Sequence, residues 1–284
     1  MRLRAYAKIN IGLDVKGKRD DGYHELDMIM APINFYDEID IEVAEKMSLT
    51  SNQRYIDSNP DNSILKTVRV MRERYGFKEN FDIKLKKHIP TQGGLAGGSA
   101  DAAAIIKGIK SLLDIPMTLD DMRDICLKIG SDEYFCLLGK VARVSGTGEI
   151  IEPFTNGIKM GILLVKPWHG VSTKAAFEKL DLANCDHPDI GKIKRALVED
   201  NYDLLCHSIG NSLEEPSFKI RPEIKKAKEK LLRYGMDAAL MSGSGSTVFG
   251  ITQNTRKLDE VMDIMKQQRY FVRKVHIYED PLVI

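Results

Sequence analysis

The 284-residue chain has no charge imbalance: 42 Lys and Arg face 41 Asp and Glu, a formal charge of +1. A large nucleic-acid footprint or a polybasic membrane anchor needs a basic excess, so neither is expected. A local basic pocket for one phosphorylated ligand stays open. Cysteine is also scarce. Cys126, Cys136, Cys185 and Cys206 contain no C-x-x-C pair, which leaves neither a disulfide scaffold nor a zinc spacing. Reduced thiols in a cytosol are the expectation. The longest useful apolar run, Met160 to Val165, falls far short of the ~20 residues of a membrane span. Arg2 and Arg4 are followed by no continuous apolar stretch, so no secretory signal is visible. There is no internal repeat, low-complexity tract or heptad run. With 43% apolar and 29% charged residues, a soluble, cytoplasmic, globular protein is expected. At about 150 residues per domain, its length suits two cores.

What is present is patterned. Leu3, Ala5, Ala7, Ile9 and Ile11 alternate with Arg2, Arg4, Tyr6, Lys8 and Asn10, the period of a strand. Asp20-Asp21-Gly22 supplies turn chemistry. Further strands are expected at 39–43, 81–85 and 142–144. Helical spacing predicts helices over 62–75, 99–113 and from Thr118, where Asp121 completes a capping box and Gly130 a stop. Residues 153–157 read as a hinge, giving expected units 1–156 and 157–284. The second unit alternates: a strand at 160–165, helices near 173–180, 192–198 and 222–234, apolar residues 238–241, a helix at 257–268 and a strand at 270–278. An α+β sandwich follows.

Two glycine-rich segments carry the chemistry. Pro90 to Asp101 reads P-T-Q-G-G-L-A-G-G-S-A-D. Its four glycines let backbone approach an anion, and the following helix turns free N–H groups and a positive dipole end toward it. It matches neither Walker A nor G-x-G-x-x-G, and a close-packed connection is the other reading. The second loop, S-G-S-G-S-T over residues 242–247, reads by itself as a tight turn. Lys8 and Asn10 share a polar strand face, which alone suggests a solvated edge. Asp132 after Gly130-Ser131 reads alone as a helix cap. The six histidines suggest no metal cluster.

The combination is more specific. A-K-I-N-I-G-L-D-V from Ala7 and D-G-Y-H-E-L from Asp21 resemble the opening signature of the 4-diphosphocytidyl-2-C-methyl-D-erythritol kinases. That family lies within the galactokinase, homoserine kinase, mevalonate kinase and phosphomevalonate kinase (GHMP) superfamily. The glycine loop after Pro90, V-K-P-W-H-G-V-S-T from Val165 and L-M-S-G-S-G from Leu240 follow in the family's order.

The resemblance implies a two-lobed α+β fold, with a ribosomal-S5-like N-terminal lobe and a ferredoxin-like C-terminal lobe. It implies ATP-dependent phosphorylation of a tertiary 2-hydroxyl, in the non-mevalonate route to isoprenoid precursors. Asp132 matches the catalytic carboxylate and Lys8 the lysine beside it. Asn10 would help hold the substrate hydroxyl. Tyr23 and Phe177 match a pair stacking on cytosine, and His24 its reader. Pro90, Gly93, Gly94, Leu95, Ala96, Gly97, Gly98 and Ser99 would hold ATP, with Lys87 facing the nucleotide. Mg²⁺ would accompany ATP, with Ser99 its protein contact. With the signature beginning at Ala7, a bacterial cytosolic setting is expected.

The chain departs from the family's pattern at several points. Glu133 and Tyr134 replace an apolar-Pro pair after Asp132, and a second carboxylate there would raise the Asp132 pKa or mispose the substrate. Gln92 and Ala96 stand at usual glycines, Ala100 at a usual Ser and Ser246 at a usual Pro. A different small-alcohol acceptor, or a nucleotide-binding homologue without catalysis, are the alternatives these changes suggest.

Overall fold

The computed structural model describes residues 1–53, 56 and 62–279. The alternating opening forms β1 (Arg2–Lys18), which pairs antiparallel with β2 (His24–Ala44) across the Asp20-Asp21-Gly22 turn. Both strands outrun their expected lengths. The segment expected at 39–43 is only the end of β2, whose 21 residues are interrupted in pattern by Asp27, Pro32 and Asp37. Pro32 sits at a register shift opposite Lys8, a bulge being where a strand tolerates proline. The register shifts again just past Asn10. Such bulges re-aim side chains, and they bracket the two polar residues of β1 that matter below.

The remaining strands of the first sheet are β3 (Ser48–Ser51), β4 (Asn80–Lys86), β5 (Ala142–Gly146) and β6 (Ile150–Pro153). Their order is β3-β4-β2-β5-β6, with β1 paired to β2. Against this sheet pack α1 (Ser63–Tyr75), α2 (Gly97–Leu112) and α3 (Leu119–Ile129). Asn62 caps α1, and Thr118 and Asp121 form the expected capping box on α3. Ile64, Val68 and Met71 of α1 meet Ile105 and Ile109 of α2 and Met122, Ile125 and Ile129 of α3 in one core. A short α4 (Glu133–Leu138), absent from the sequence expectation, follows.

The second sheet is antiparallel throughout, in the spatial order 271–275, 161–166, 248–252, 238–241. Its strands are β7 (Gly161–Lys166), β8 (Ala238–Met241), β9 (Val248–Thr252) and β10 (Phe271–Val275). Between β7 and β8 lie α5 (Thr173–Glu178), α6 (Ile190–Val198), α7 (Tyr202–Cys206), α8 (Glu214–Ile220) and α9 (Pro222–Arg233), and α10 (Thr255–Lys266) joins β9 to β10. Strand–helix–strand–strand–helix–strand is the ferredoxin-like pattern.

The two sheets share a core. Ala7, Ile9 and Ile11 of β1 lie with Ile190, Ile193, Leu240 and Phe249. The opposite face of β1 is exposed at Arg2 and Arg4 but closed to solvent farther along, where Lys8 is 5% and Asn10 1% exposed. The solvated edge that alternation alone suggests is instead the floor of a cavity. Among the described residues no helix is long and apolar enough to cross a membrane.

Candidate active site

A cavity of about 1120 Å³ opens between β1, the loop 90–99, the Gly130–Glu133 turn, α5 and the 242–247 loop. Every sequence-predicted site residue lines it.

The loop 90–99 is shaped by its second neighbour. Thr247 N donates to Gly93 O (3.2 Å), Ser246 N to Gln92 O (3.3 Å), and the Ser242 hydroxyl to Gly94 O (2.9 Å). Lys8 N donates to Leu95 O (3.2 Å). The second glycine loop is thus a turn, as it reads alone, and that turn is the back wall of the first. Gly94 has φ +72°, and a Cβ there would fall 1.9 Å from Ser242 O, so both conformation and space demand glycine. Gln92 (φ 50°) and Ala96 (φ 54°) also adopt left-handed conformations. Ala96 is the N-cap of α2 and makes no side-chain cap, and the first turn holds no acidic residue. The N–H groups there are free for an anion.

Lys87 does not reach freely into the cavity. Its Nζ donates to Asp37 Oδ2 at 2.5 Å and Asp101 Oδ2 at 2.6 Å, all three side chains being buried. Asp37 also accepts N–H bonds from His88 and Ile89. Burial works against the lysine's charge, yet the two carboxylates outweigh it and raise its pKa. One lysine cannot neutralise two carboxylates. Burial, and then Asp37, push the Asp101 carboxyl up to about 8 despite Lys87. This triad ties β2, the end of β4 and α2 together beneath the loop. Neither Asp37 nor Asp101 was singled out from sequence, although Asp101 closes the glycine motif.

Asp132 occupies the N-cap position of α4, but its carboxylate makes no cap hydrogen bond. It lies 3.3 Å from Lys8 Nζ instead. That ammonium also donates to Asn10 Oδ1 at 2.7 Å. A carboxylate, an ammonium and an amide therefore converge at the mouth of the glycine loop. Next to them Glu133 is 5% exposed, and burial followed by the like charge of Asp132 pushes its carboxyl up to about 7.

At the far end His24 stacks on Phe177, with ring centroids 4.7 Å apart and planes at 25°. Tyr23 stands 62% exposed on the rim. His24 thus occupies the face of Phe177, with Tyr23 on the rim of the same cavity. Burial, aided by Lys18, lowers the His24 pKa.

The cavity wall near Leu182 is clamped by a residue that sequence analysis left aside. His187 Nδ1 bonds Asp14 Oδ1 (2.7 Å) and Nε2 bonds Leu182 O (2.9 Å). Two acceptors favour the imidazolium: the Leu182 carbonyl, then Asp14, raise the His187 pKa. Burial opposes the Asp14 charge, but Lys16 and His187 outweigh it and lower that pKa. The His187 contribution is full below the unfolded-state value and fades as pH rises through the raised one. The Asp14 contribution is lost as pH falls through its lowered value. The imidazole is half exposed, so screening holds the effect below about 1 kcal/mol. His187→Ala should therefore lower the melting temperature modestly in mild acid, and the gap should narrow as pH rises through the raised value.

The chain as a whole has counterparts among known proteins. The description "GHMP kinases N terminal domain" matches residues 62–140, and "GHMP kinases C terminal" matches 182–270. The 4-diphosphocytidyl-2-C-methyl-D-erythritol kinase of Bacillus cytotoxicus is 37% identical over 95% of this chain and 96% of its own. That of Geobacillus kaustophilus is 38% identical over 92% of this chain and 91% of its own. The chain belongs to the 4-diphosphocytidyl-2-C-methyl-D-erythritol kinase family of GHMP kinases. A crystal structure of a 4-(cytidine 5'-diphospho)-2C-methyl-D-erythritol kinase superposes with a TM-score of 0.81 at 27% identity, covering 97% of this chain and 99% of that one. The homoserine kinase of Cytophaga hutchinsonii shares the fold, with a TM-score of 0.78 at 18% identity over 98% of this chain and 94% of its own. The two-lobed GHMP architecture and a small-molecule kinase activity are the common ground of these relatives.

Proposed function

We propose that this kinase transfers the γ-phosphoryl group of ATP to the 2-hydroxyl of 4-diphosphocytidyl-2-C-methyl-D-erythritol. Support comes first from Asp132: it takes a capping position yet turns its carboxylate to Lys8, in front of the free N–H groups of α2. The relatives' substrate then fits the two ends of one cavity, phosphates at the glycine loop and cytosine near Phe177. The product would enter the non-mevalonate route to isoprenoid precursors.

In the reaction Asp132 accepts the acceptor hydroxyl's proton as the oxygen bonds the γ-phosphorus. The bond from that phosphorus to the β,γ-bridging oxygen breaks, and ADP departs. Lys8 holds the carboxylate in place and offsets charge on the transferring group. Asn10, itself held by Lys8, fixes the hydroxyl. The N–H groups of residues 97–99 cradle phosphate oxygens, and Lys87 acts from beneath by holding the loop's shape. Mg²⁺ fits the donors present, since the Ser99 hydroxyl adjoins a buried carboxylate with an unpaired oxygen. It would neutralise phosphate charge there. We assign residues 1–156 to the ATP-binding and catalytic unit and 157–284 to the substrate side. The four cysteines are free, which suits a cytoplasmic setting.

Stacking a base on an aromatic ring is worth about 1–3 kcal/mol. Phe177→Ala should therefore weaken CDP competition against the substrate by about tenfold or more and leave ATP affinity unchanged. Cytidine must displace His24 from the Phe177 face, and that overlap favours, as a second reading, a smaller alcohol acceptor without a base. Indifference of the enzyme to CDP would select it.

A further inference from the structure

We propose that Glu133 is a ligand for the divalent cation that accompanies the nucleotide, shared with the Ser99 hydroxyl. The proposal rests on the ATP-dependent reading above and concerns a residue at which this chain departs from the resembled pattern.

Glu133 opens α4, and its side chain folds back over Gly130 rather than outward. A methyl group on Gly130 would lie 2.7 Å from one carboxylate oxygen and 2.8 Å from the other, so the absence of a side chain at 130 makes the carboxyl's room. The residue is 5% exposed and still lines the cavity. Ser99, the last residue of the glycine loop, brings its hydroxyl against the carboxyl. Oε2 nevertheless has no hydrogen-bond partner. A buried carboxylate oxygen left unpaired is costly, and such atoms in a native structure call for a ligand or an ion.

The nearby cations are committed elsewhere. Lys66 donates to the carbonyl of Ile129 at 2.7 Å, and Lys8 is held by Asp132 and Asn10. Two adjacent carboxylates therefore face a loop built to receive phosphate, while the ammoniums of Lys8 and Lys66 bond other groups. Adding triphosphate without a counter-ion would stack like charges. Mg²⁺ typically takes one or two carboxylates, with phosphate oxygens and water completing its shell. Glu133 and Ser99 are oxygen donors of that type at the point where the loop meets the cavity. An apolar side chain at 133 would leave Ser99 as the sole protein donor of the pair.

The test is Mn²⁺ binding, followed by electron paramagnetic resonance, to the protein loaded with a non-hydrolysable ATP analogue. Wild type, Glu133→Gln and Ser99→Ala are compared, and affinity for the metal-free nucleotide is measured in parallel. Glu133→Gln keeps shape and is expected to weaken Mn²⁺ by about tenfold or more, with metal-free nucleotide binding unchanged or tighter. Ser99→Ala should weaken Mn²⁺ less. Unchanged or tighter Mn²⁺ binding in Glu133→Gln, with nucleotide bound normally, would overturn the proposal and make Glu133 a buried neutral acid. Failure of wild type to bind nucleotide at all would overturn the kinase reading and this proposal with it.

Discussion

Asp132→Asn is expected to lower turnover by about 10²–10⁴-fold while ATP still binds. The amide has the same shape but cannot take the hydroxyl proton. Lys8 loses one partner and keeps another, since Asn10 Oδ1 lies 2.7 Å from its Nζ, so the ammonium stays in place. The phosphate cradle is built from residues 93–99 and braced by bonds from residues 242–247, which the substitution leaves in place. Steady-state kinetics beside a nucleotide titration separates the effects. A variant that keeps near-normal turnover would remove Asp132 from the mechanism, whereas one that loses ATP would show it to be structural.

Lys87→Met is expected to destabilise the protein by about 3–5 kcal/mol, because it strands two buried carboxylates. For a chain of this size that corresponds to a fall in melting temperature of about 10 °C. The cost should depend on pH. Without the ammonium, nothing offsets the burial that already raises the Asp101 pKa, while unfolded carboxylates ionise near pH 4. The penalty is thus smallest in acid and grows toward neutrality. Adding Asp37→Asn and Asp101→Asn to Lys87→Met should recover much of the loss. Thermal melts at pH 5 and pH 8 check both points. A Lys87→Met protein as stable as wild type at pH 8 would mean that the triad does not hold the loop.

The candidate site was legible in sequence only through the family resemblance, whose motifs are local, since Asp132 read alone is a helix cap. Four glycines precede a helix, and Asp132 follows a helix stop. The alternation of β1 was equally plain, and the capping box at Thr118 marked its helix to the residue. What the pattern could not disclose was the burial of the polar face. Lys8 and Asn10 look like a wet edge until the second glycine loop, more than 230 residues away, closes over them. The full length of β2 was hidden because Asp27, Pro32 and Asp37 break its period. Each has a tertiary reason: Asp27 pairs with Arg143, Pro32 lies at a bulge and Asp37 joins the Lys87 triad. The stacking of His24 on Phe177 joins residues 153 positions apart. In the sequence Glu133 was visible only as a charge out of place. Its burial against Ser99 and Gly130 depends on how α2, α3 and α4 meet.

Release of ADP from Mg-ATP, measured with and without 4-diphosphocytidyl-2-C-methyl-D-erythritol, is the most direct trial of the proposed reaction. Phosphorus NMR of the product reports where the phosphoryl group goes. ADP release that depends on this acceptor, with a new phosphomonoester on its 2-hydroxyl carbon, is the predicted result. Release at the same rate without the acceptor, or none at all from a protein that binds ATP, would contradict it.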